Sequence, residues 1–170
     1  MNIANLITLM RFFLIPFFIY SFFYIPNGNV YAAIIFIISG ITDVIDGYIA
    51  RHCNQITKTG ILLDPLADKL MILAVLACLW LKGMIPFFII LIILIKEMLM
   101  IIGAVILYKK RDVAISANKF GKATTVLFYI AIIFSIFGWP YGLTLMIAAL
   151  ILALLSFVIY AIEFKFYNSI

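Results

Sequence analysis

Four of the seven acidic residues in this chain fall within the segment 43–68, at Asp43, Asp46, Asp64 and Asp68. Carboxylates this close repel one another, and each costs about 3 kcal/mol at the centre of an apolar helix, and less towards its ends. A fold that keeps all four therefore needs a compensating positive charge. Carboxylate oxygens are hard ligands, so the pattern predicts a divalent cation, either Mg²⁺ or Mn²⁺.

The spacing arranges the aspartates as two pairs. Asp43 and Asp46 are three residues apart, and Asp64 and Asp68 are four apart. Residues separated by three or four positions share one face of a helix. Only a short gap separates the two predicted helices, so we expect antiparallel neighbours whose aspartate-bearing ends meet.

Other residues around the gap suit a ligand site. Gly47 leaves space beside the first pair, Gly60 permits close backbone approach, and Arg51 can pair with a carboxylate or clamp a phosphate. Asp64 has a structural alternative, because Asp64 followed by Pro65 is also typical of a helix N-cap with proline at the first helical position. That alternative explains one aspartate but not four converging ones, so we favour the metal site.

The elements that carry these residues are very apolar. Hydrophobic residues make up 68% of the 170-residue chain, against about 45–50% in soluble domains, so lipid is the expected surroundings. Arg11 and Pro16 interrupt the first apolar stretch, which we interpret as a retained helix rather than a signal peptide. The sequence predicts one all-α, polytopic membrane domain over 1–170. Its six transmembrane helices are expected at about 5–25, 30–50, 61–81, 85–108, 121–139 and 142–163.

Positive charge is concentrated in the second and fourth gaps and at the C-terminus. The positive-inside rule then predicts cytoplasmic N- and C-termini, with the aspartates facing the cytoplasm from a multi-pass protein of the cell membrane. We expect no nucleic-acid partner. The charges concerned are Arg51, His52, Lys58, Lys109, Lys110, Arg111, Lys119, Lys122 and Lys165.

The complete pattern resembles the signature of the CDP-alcohol phosphatidyltransferase family, and eight fixed identities make it specific. The resemblance implies a membrane enzyme, commonly a homodimer, that transfers a phosphatidyl group from CDP-diacylglycerol to an alcohol. It implies that Asp43, Asp46 and Asp64 ligate a two-metal centre, with Asp68 at its edge and acting as general base. It further implies that CDP is held by Asp46, Gly47, Arg51 and Gly60. The pattern reads Asp43-x2-Asp46-Gly47-x2-Ala50-Arg51-x8-Gly60-x3-Asp64-x3-Asp68.

The acceptor alcohol is less sharply indicated. The opening Asn5-x2-Thr8-x2-Arg11 and the segment Asp64–Lys69 are similar to phosphatidylglycerophosphate synthases, which implies glycerol 3-phosphate. Those enzymes usually carry Arg-Glu in the fourth helix, where this chain has Lys96-Glu97 and is similar to cardiolipin synthases, which implies phosphatidylglycerol or another alcohol.

Five basic residues are candidates for holding a phosphate on the acceptor. Four of them have a structural alternative: the charges of the fourth gap also determine topology, and Lys96 can instead form a buried ion pair with Glu97. The candidates are Lys69, Lys96, Arg111, Lys119 and Lys122.

Two other classes of function compete. Intramembrane carboxylates also occur in ion-coupled transporters, but carriers tend to place them near the midplane and to show internal repeats, and this sequence has no evident repeat. A catalytically silent scaffold would be expected to have lost one of the aspartates. We therefore favour the enzyme.

Overall fold

The computed structural model describes residues 3–52, 58–111 and 119–169, which form six helices and no strand. The all-α prediction is confirmed, and the helices match the six apolar stretches to within a few residues at most ends. The chain divides into two compact units, Met1–Lys82 and Gly83–Ile170, with three helices each. The helices are α1 (Ile3–Tyr24), α2 (Gly28–His52), α3 (Lys58–Leu81), α4 (Phe87–Arg111), α5 (Lys119–Ile136) and α6 (Gly142–Ser169).

In the first unit, α1 packs against both α2 and α3, which also contact one another. The buried side chains recur mostly at intervals of three or four residues, so each helix turns one stripe inwards. Two small residues of α2, Ala32 and Ala33, are among the buried residues. The buried apolar residues include Phe18, Phe22, Ala32, Ala33, Phe36, Ala67, Met71, Val75, Leu76 and Leu79.

In the second unit, α6 packs against α4 and α5. Gly103 brings α4 close to α6, because a Cβ atom there would lie 3.3 Å from the ring of Tyr160. The Tyr160 hydroxyl donates a hydrogen bond of 3.4 Å to the Met100 carbonyl on α4. The small residue thus seats a tyrosine that ties the two helices together.

The turns between helices satisfy the backbone groups that the helix ends leave free. At the end of α5, Gly138 (φ 64°) donates to the Ser135 carbonyl, and Trp139 donates to the Phe134 carbonyl. These two bonds form a Schellman motif, and the accompanying apolar contact is that of the Trp139 and Phe134 rings, 5.1 Å apart. This turn therefore ends α5 tightly before α6 begins at Gly142.

Large apolar side chains remain exposed along the outer faces of the helices. On α1, Phe13 is 67% and Phe17 61% exposed, and on α6, Ile151 and Ile162 are similarly open. Among the described residues, Gly28–Ile45 and Gly142–Ile162 are long and apolar enough to cross a bilayer, and the other apolar helical segments are shorter. Exposed apolar surface of this extent is characteristic of a protein that contacts lipid.

Candidate functional site

The four aspartates lie on α2 and α3, inside the helices rather than at their ends. α2 continues from Asp43 to His52, and α3 begins at Lys58, well before Asp68. At 3.6 residues per turn, these two aspartates are between two and three turns from the nearest helix end. The predicted stretches 30–50 and 61–81 already contain all four aspartates, and the helices extend these stretches by only two or three residues on the side of the gap.

Asp64 is not an N-cap. α3 begins at Lys58, so both Asp64 and Pro65 lie within the helix. The proline removes a backbone donor in the second turn, where helices in apolar surroundings tolerate such a loss. The structural alternative for Asp64 is thus wrong, and capping of α3 does not account for this carboxylate.

Asp43 forms an ion pair with Arg11 of α1, 32 residues away in the sequence. Nη1 of Arg11 donates a hydrogen bond of 2.5 Å to Oδ1 of Asp43. The Arg11 side chain is 0% exposed, whereas that of Asp43 is 40% exposed. The arginine is therefore enclosed by the protein, and the carboxylate keeps an open side.

The pairing of Arg11 with Asp43 was not predicted from the sequence, in which Arg11 interrupts the first apolar stretch and belongs to the N-terminal resemblance. A buried guanidinium is costly unless a carboxylate compensates it. Charged residues within membrane helices face the protein interior and pair with one another. This rule, applied to an arginine inside an apolar helix, was the available signal that Arg11 needs an acidic partner.

For the other residues of the predicted metal and CDP sites, the structure describes only the helix on which each residue lies. Asp46, Gly47 and Arg51 lie on α2, and Gly60, Asp64 and Asp68 lie on α3. Their side chains and immediate surroundings are outside the described part of the structure.

The donor set fits a hard divalent cation. Only Asp43 among the four aspartates has a described side chain, and no three metal-ligating side chains meet within the described set. The open side of Asp43 leaves its carboxylate accessible to an ion, and four carboxylates supply only oxygen ligands, as Mg²⁺ and Mn²⁺ prefer. The aspartates would hold such an ion between α2 and α3.

Lys96, a candidate for binding the acceptor, lies beside Glu97 on α4. Its Nζ is 2.6 Å from Oε1 of Glu97, and the two side chains are 14% and 25% exposed. The lysine charge is thus balanced by its sequence neighbour, which is the structural alternative considered for this residue. Its contact with an acceptor stays a prediction.

The remaining candidate residues for binding the acceptor are described by their positions along the helices. Lys69 is partly buried on α3, directly after Asp68. Arg111 ends α4, and Lys119 begins α5 with Lys122 one turn later. The side chains of these last three residues are outside the described part of the structure, so their contacts stay predictions.

The C-terminal end of α1 is bound by Lys82, which directly follows α3. Nζ of Lys82 donates a hydrogen bond of 2.6 Å to the Phe22 carbonyl and lies 3.8 Å from the centre of the Phe22 ring. A positive charge at the C-terminus of a helix is favourable because the last carbonyl groups carry partial negative charge.

Comparison with known proteins identifies the family. A model of the CDP-alcohol phosphatidyltransferase family matches residues 1–158, a range that includes the whole aspartate pattern. The chain belongs to this family. The name of the family describes phosphatidyl transfer, in agreement with the sequence resemblance.

Individual relatives of the family cover different parts of the chain. The CDP-diacylglycerol–glycerol-3-phosphate 3-phosphatidyltransferase of Wigglesworthia glossinidia brevipalpis is 47% identical over 74 residues, which are 42% of this chain and 40% of that protein. The enzyme of the same name from Pseudomonas fluorescens is 48% identical over 81 residues, 46% of this chain and 41% of that protein. The similarity to these relatives thus spans about 40% of their length.

A third relative is similar over most of the chain. The cardiolipin synthase (CMP-forming) of Streptomyces coelicolor is 30% identical over 160 residues, which are 84% of this chain and 74% of that protein. These relatives therefore carry two different names.

Proposed function

We propose that this chain transfers the phosphatidyl group of CDP-diacylglycerol to the hydroxyl group of glycerol 3-phosphate and releases CMP. The observation that carries the proposal is the complete pattern Asp43 to Asp68 on two helices of a chain that belongs to this family. The names of the relatives from Wigglesworthia and Pseudomonas support glycerol 3-phosphate as acceptor.

In this reaction the acceptor oxygen attacks the phosphorus that carries the diacylglycerol. A new P–O bond forms, the P–O bond to CMP breaks, and CMP leaves with that electron pair. Asp68 takes the proton of the attacking hydroxyl group. Divalent cations, when bound, neutralise the charge that develops on the phosphates.

The other residues of the pattern bind the metal ions and the CDP group. Asp43, Asp46 and Asp64 hold Mg²⁺ or Mn²⁺, with Asp68 at the edge of the centre. Gly47 and Gly60 admit the CDP group closely, and Arg51 offers a planar donor pair for a phosphate. Lys69 and the charges of the fourth gap are the candidates for the phosphate of the acceptor.

The proposal includes the membrane arrangement. Six helices cross the cell membrane with both termini in the cytoplasm, and the aspartates face that side, where a lipid donor and a water-soluble acceptor meet. The exposed apolar faces of α1 and α6 support contact with lipid. A homodimer is expected from the family resemblance.

A second acceptor is phosphatidylglycerol, as in a cardiolipin synthase. Lys96-Glu97 in α4 favours it, and so does the similarity to the Streptomyces coelicolor relative over 84% of the chain. Lysine lacks the planar fork of the arginine usual at this position in phosphatidylglycerophosphate synthases, so the acceptor pocket is expected to differ between the two alternatives.

An acceptor panel tests the proposal. Purified full-length protein is mixed with CDP-diacylglycerol, Mg²⁺ or Mn²⁺ and one alcohol at a time, namely glycerol 3-phosphate, phosphatidylglycerol, serine, inositol or inositol phosphate. CMP and the lipid product are then measured. We expect CMP release only with glycerol 3-phosphate and metal, and none from an Asp46→Asn control or with excess EDTA. Turnover with phosphatidylglycerol alone would select the second acceptor, and ion flux without CMP release would favour a transporter.

A further inference from the structure

We propose that Arg11 is a positioning residue of the metal centre, which holds the Asp43 carboxylate in the orientation that binds a divalent cation. The inference rests on the proposed function, in which Asp43 is a metal ligand. It adds a residue from α1 to a site whose recognised pattern lies entirely on α2 and α3.

The geometry of the ion pair suits this role. Arg11 is completely buried, so packing fixes its guanidinium, and it donates to Oδ1 of Asp43. An ionised carboxylate has about four acceptor positions on its two oxygens, and this contact occupies one of them. With 40% of its side chain exposed, Asp43 retains acceptor positions on an open side.

If only its charge is considered, Arg11 is expected to weaken metal binding rather than strengthen it. A positive guanidinium beside a metal ligand repels the cation, so its removal would tighten metal binding if charge were its only effect. The four aspartates, however, leave an excess of negative charge after Arg11 is counted, so attraction of a cation persists with the arginine present. What arginine adds is a planar donor group of fixed direction, and partners of this kind behind a ligand typically change metal affinity 10- to 100-fold.

Mn²⁺ binding to the substrate-free protein in detergent, followed by electron paramagnetic resonance, separates the two effects. We expect Arg11→Gln to raise the Kd for Mn²⁺ roughly 10- to 100-fold. Arg11→Lys, which keeps the charge but loses the planar fork, should also weaken binding. Unchanged or tighter binding by folded Arg11→Gln protein would overturn the proposal.

Two further variants distinguish positioning from general destabilisation. Lys82→Met removes a cation that contacts the end of α1 in the same unit, and it should leave the Kd unchanged even where the Tm falls. In an Asp43→Asn background, Arg11→Gln should cause no further loss of affinity, because the ligand that it orients is already altered. A further loss of similar size would contradict action through Asp43.

The outcomes for the inference and for the proposed function are separable. Wild-type protein that binds no Mn²⁺ would contradict the proposed metal centre itself, and the inference with it. Wild-type binding that Arg11→Gln leaves intact would contradict only the inference. If both Arg11 variants failed to elute as folded protein in size-exclusion chromatography, the role of Arg11 would be structural and the inference wrong.

Discussion

At the scale of single residues, the surroundings of Asp43 connect the aspartate pattern to another helix. Asp43 forms an ion pair with a buried arginine of another helix, and this contact distinguishes it from an ordinary solvated carboxylate on a protein surface. Local spacing predicted which residues share a helix face, but it carried no information about α1. A partner 32 positions away is brought near by packing of α1 against α2, and sequence periodicity does not encode that packing.

Asp68 provides a direct test of the proposed chemistry. We expect Asp68→Asn to lower kcat about 10²- to 10⁴-fold, because the amide cannot take the proton of the acceptor hydroxyl. The KM for CDP-diacylglycerol should change much less, and the Tm should stay near that of the wild type. Steady-state CMP release measures both constants, and a kcat near the wild-type value would remove Asp68 as the base.

The basic residues at the start of α5 allow a test of acceptor binding. Replacing both Lys119 and Lys122 with Gln should raise the KM for glycerol 3-phosphate several-fold if these charges hold its phosphate, with kcat at saturation nearly unchanged. The matched control is Lys165→Gln, which removes a charge on the same proposed side of the membrane with no assigned substrate contact. An unchanged KM in the double variant would assign Lys119 and Lys122 to membrane topology.

At the scale of helices, the apolar stretches predicted where each helix lies but not how far it extends. α6 was expected to end near residue 163 and continues to Ser169. The hydrophobic pattern fades where lipid contact ends, whereas backbone hydrogen bonds continue into polar residues.

The turn between α1 and α2 depends on the absence of a side chain at Gly28. A Cβ atom there would lie 1.9 Å from the carbonyl oxygen of Ser21, a distance that only displacement of the backbone can relieve. We expect Gly28→Ala to lower the Tm in detergent by several degrees, and Val30→Ala, at an exposed position two residues later, to leave it nearly unchanged. Equal midpoints for both variants would contradict the close packing at this turn.

At the scale of the whole molecule, composition predicted the fold class from a single physical requirement. A chain with 68% hydrophobic residues leaves wide apolar faces uncovered, and the exposed residues of α1 and α6 agree with this. The organisation into two compact units was not predicted, because all six apolar stretches look alike in the sequence and their pattern does not indicate which helices pack together.

The proposed orientation can be measured with cysteine variants in a background that lacks Cys53 and Cys78. A Pro140→Cys variant, in the turn after α5, should react with a membrane-impermeant maleimide on intact cells. A Lys110→Cys variant, at the end of α4, should react only after lysis, since the positive-inside rule places it in the cytoplasm. Labelling of the two positions in the reverse order would invert the orientation and place the aspartates outside.

The two cationic contacts of α1 have a mechanical consequence. More than two turns into α1, Arg11 is bound to α2, and near the end of α1 the Phe22 carbonyl is bound to Lys82, which directly follows α3. Sliding α1 along its axis by one residue, about 1.5 Å, would stretch both attachments at once. Any motion of this unit that preserves both contacts therefore keeps α1 from sliding along its axis relative to the residues that bind it.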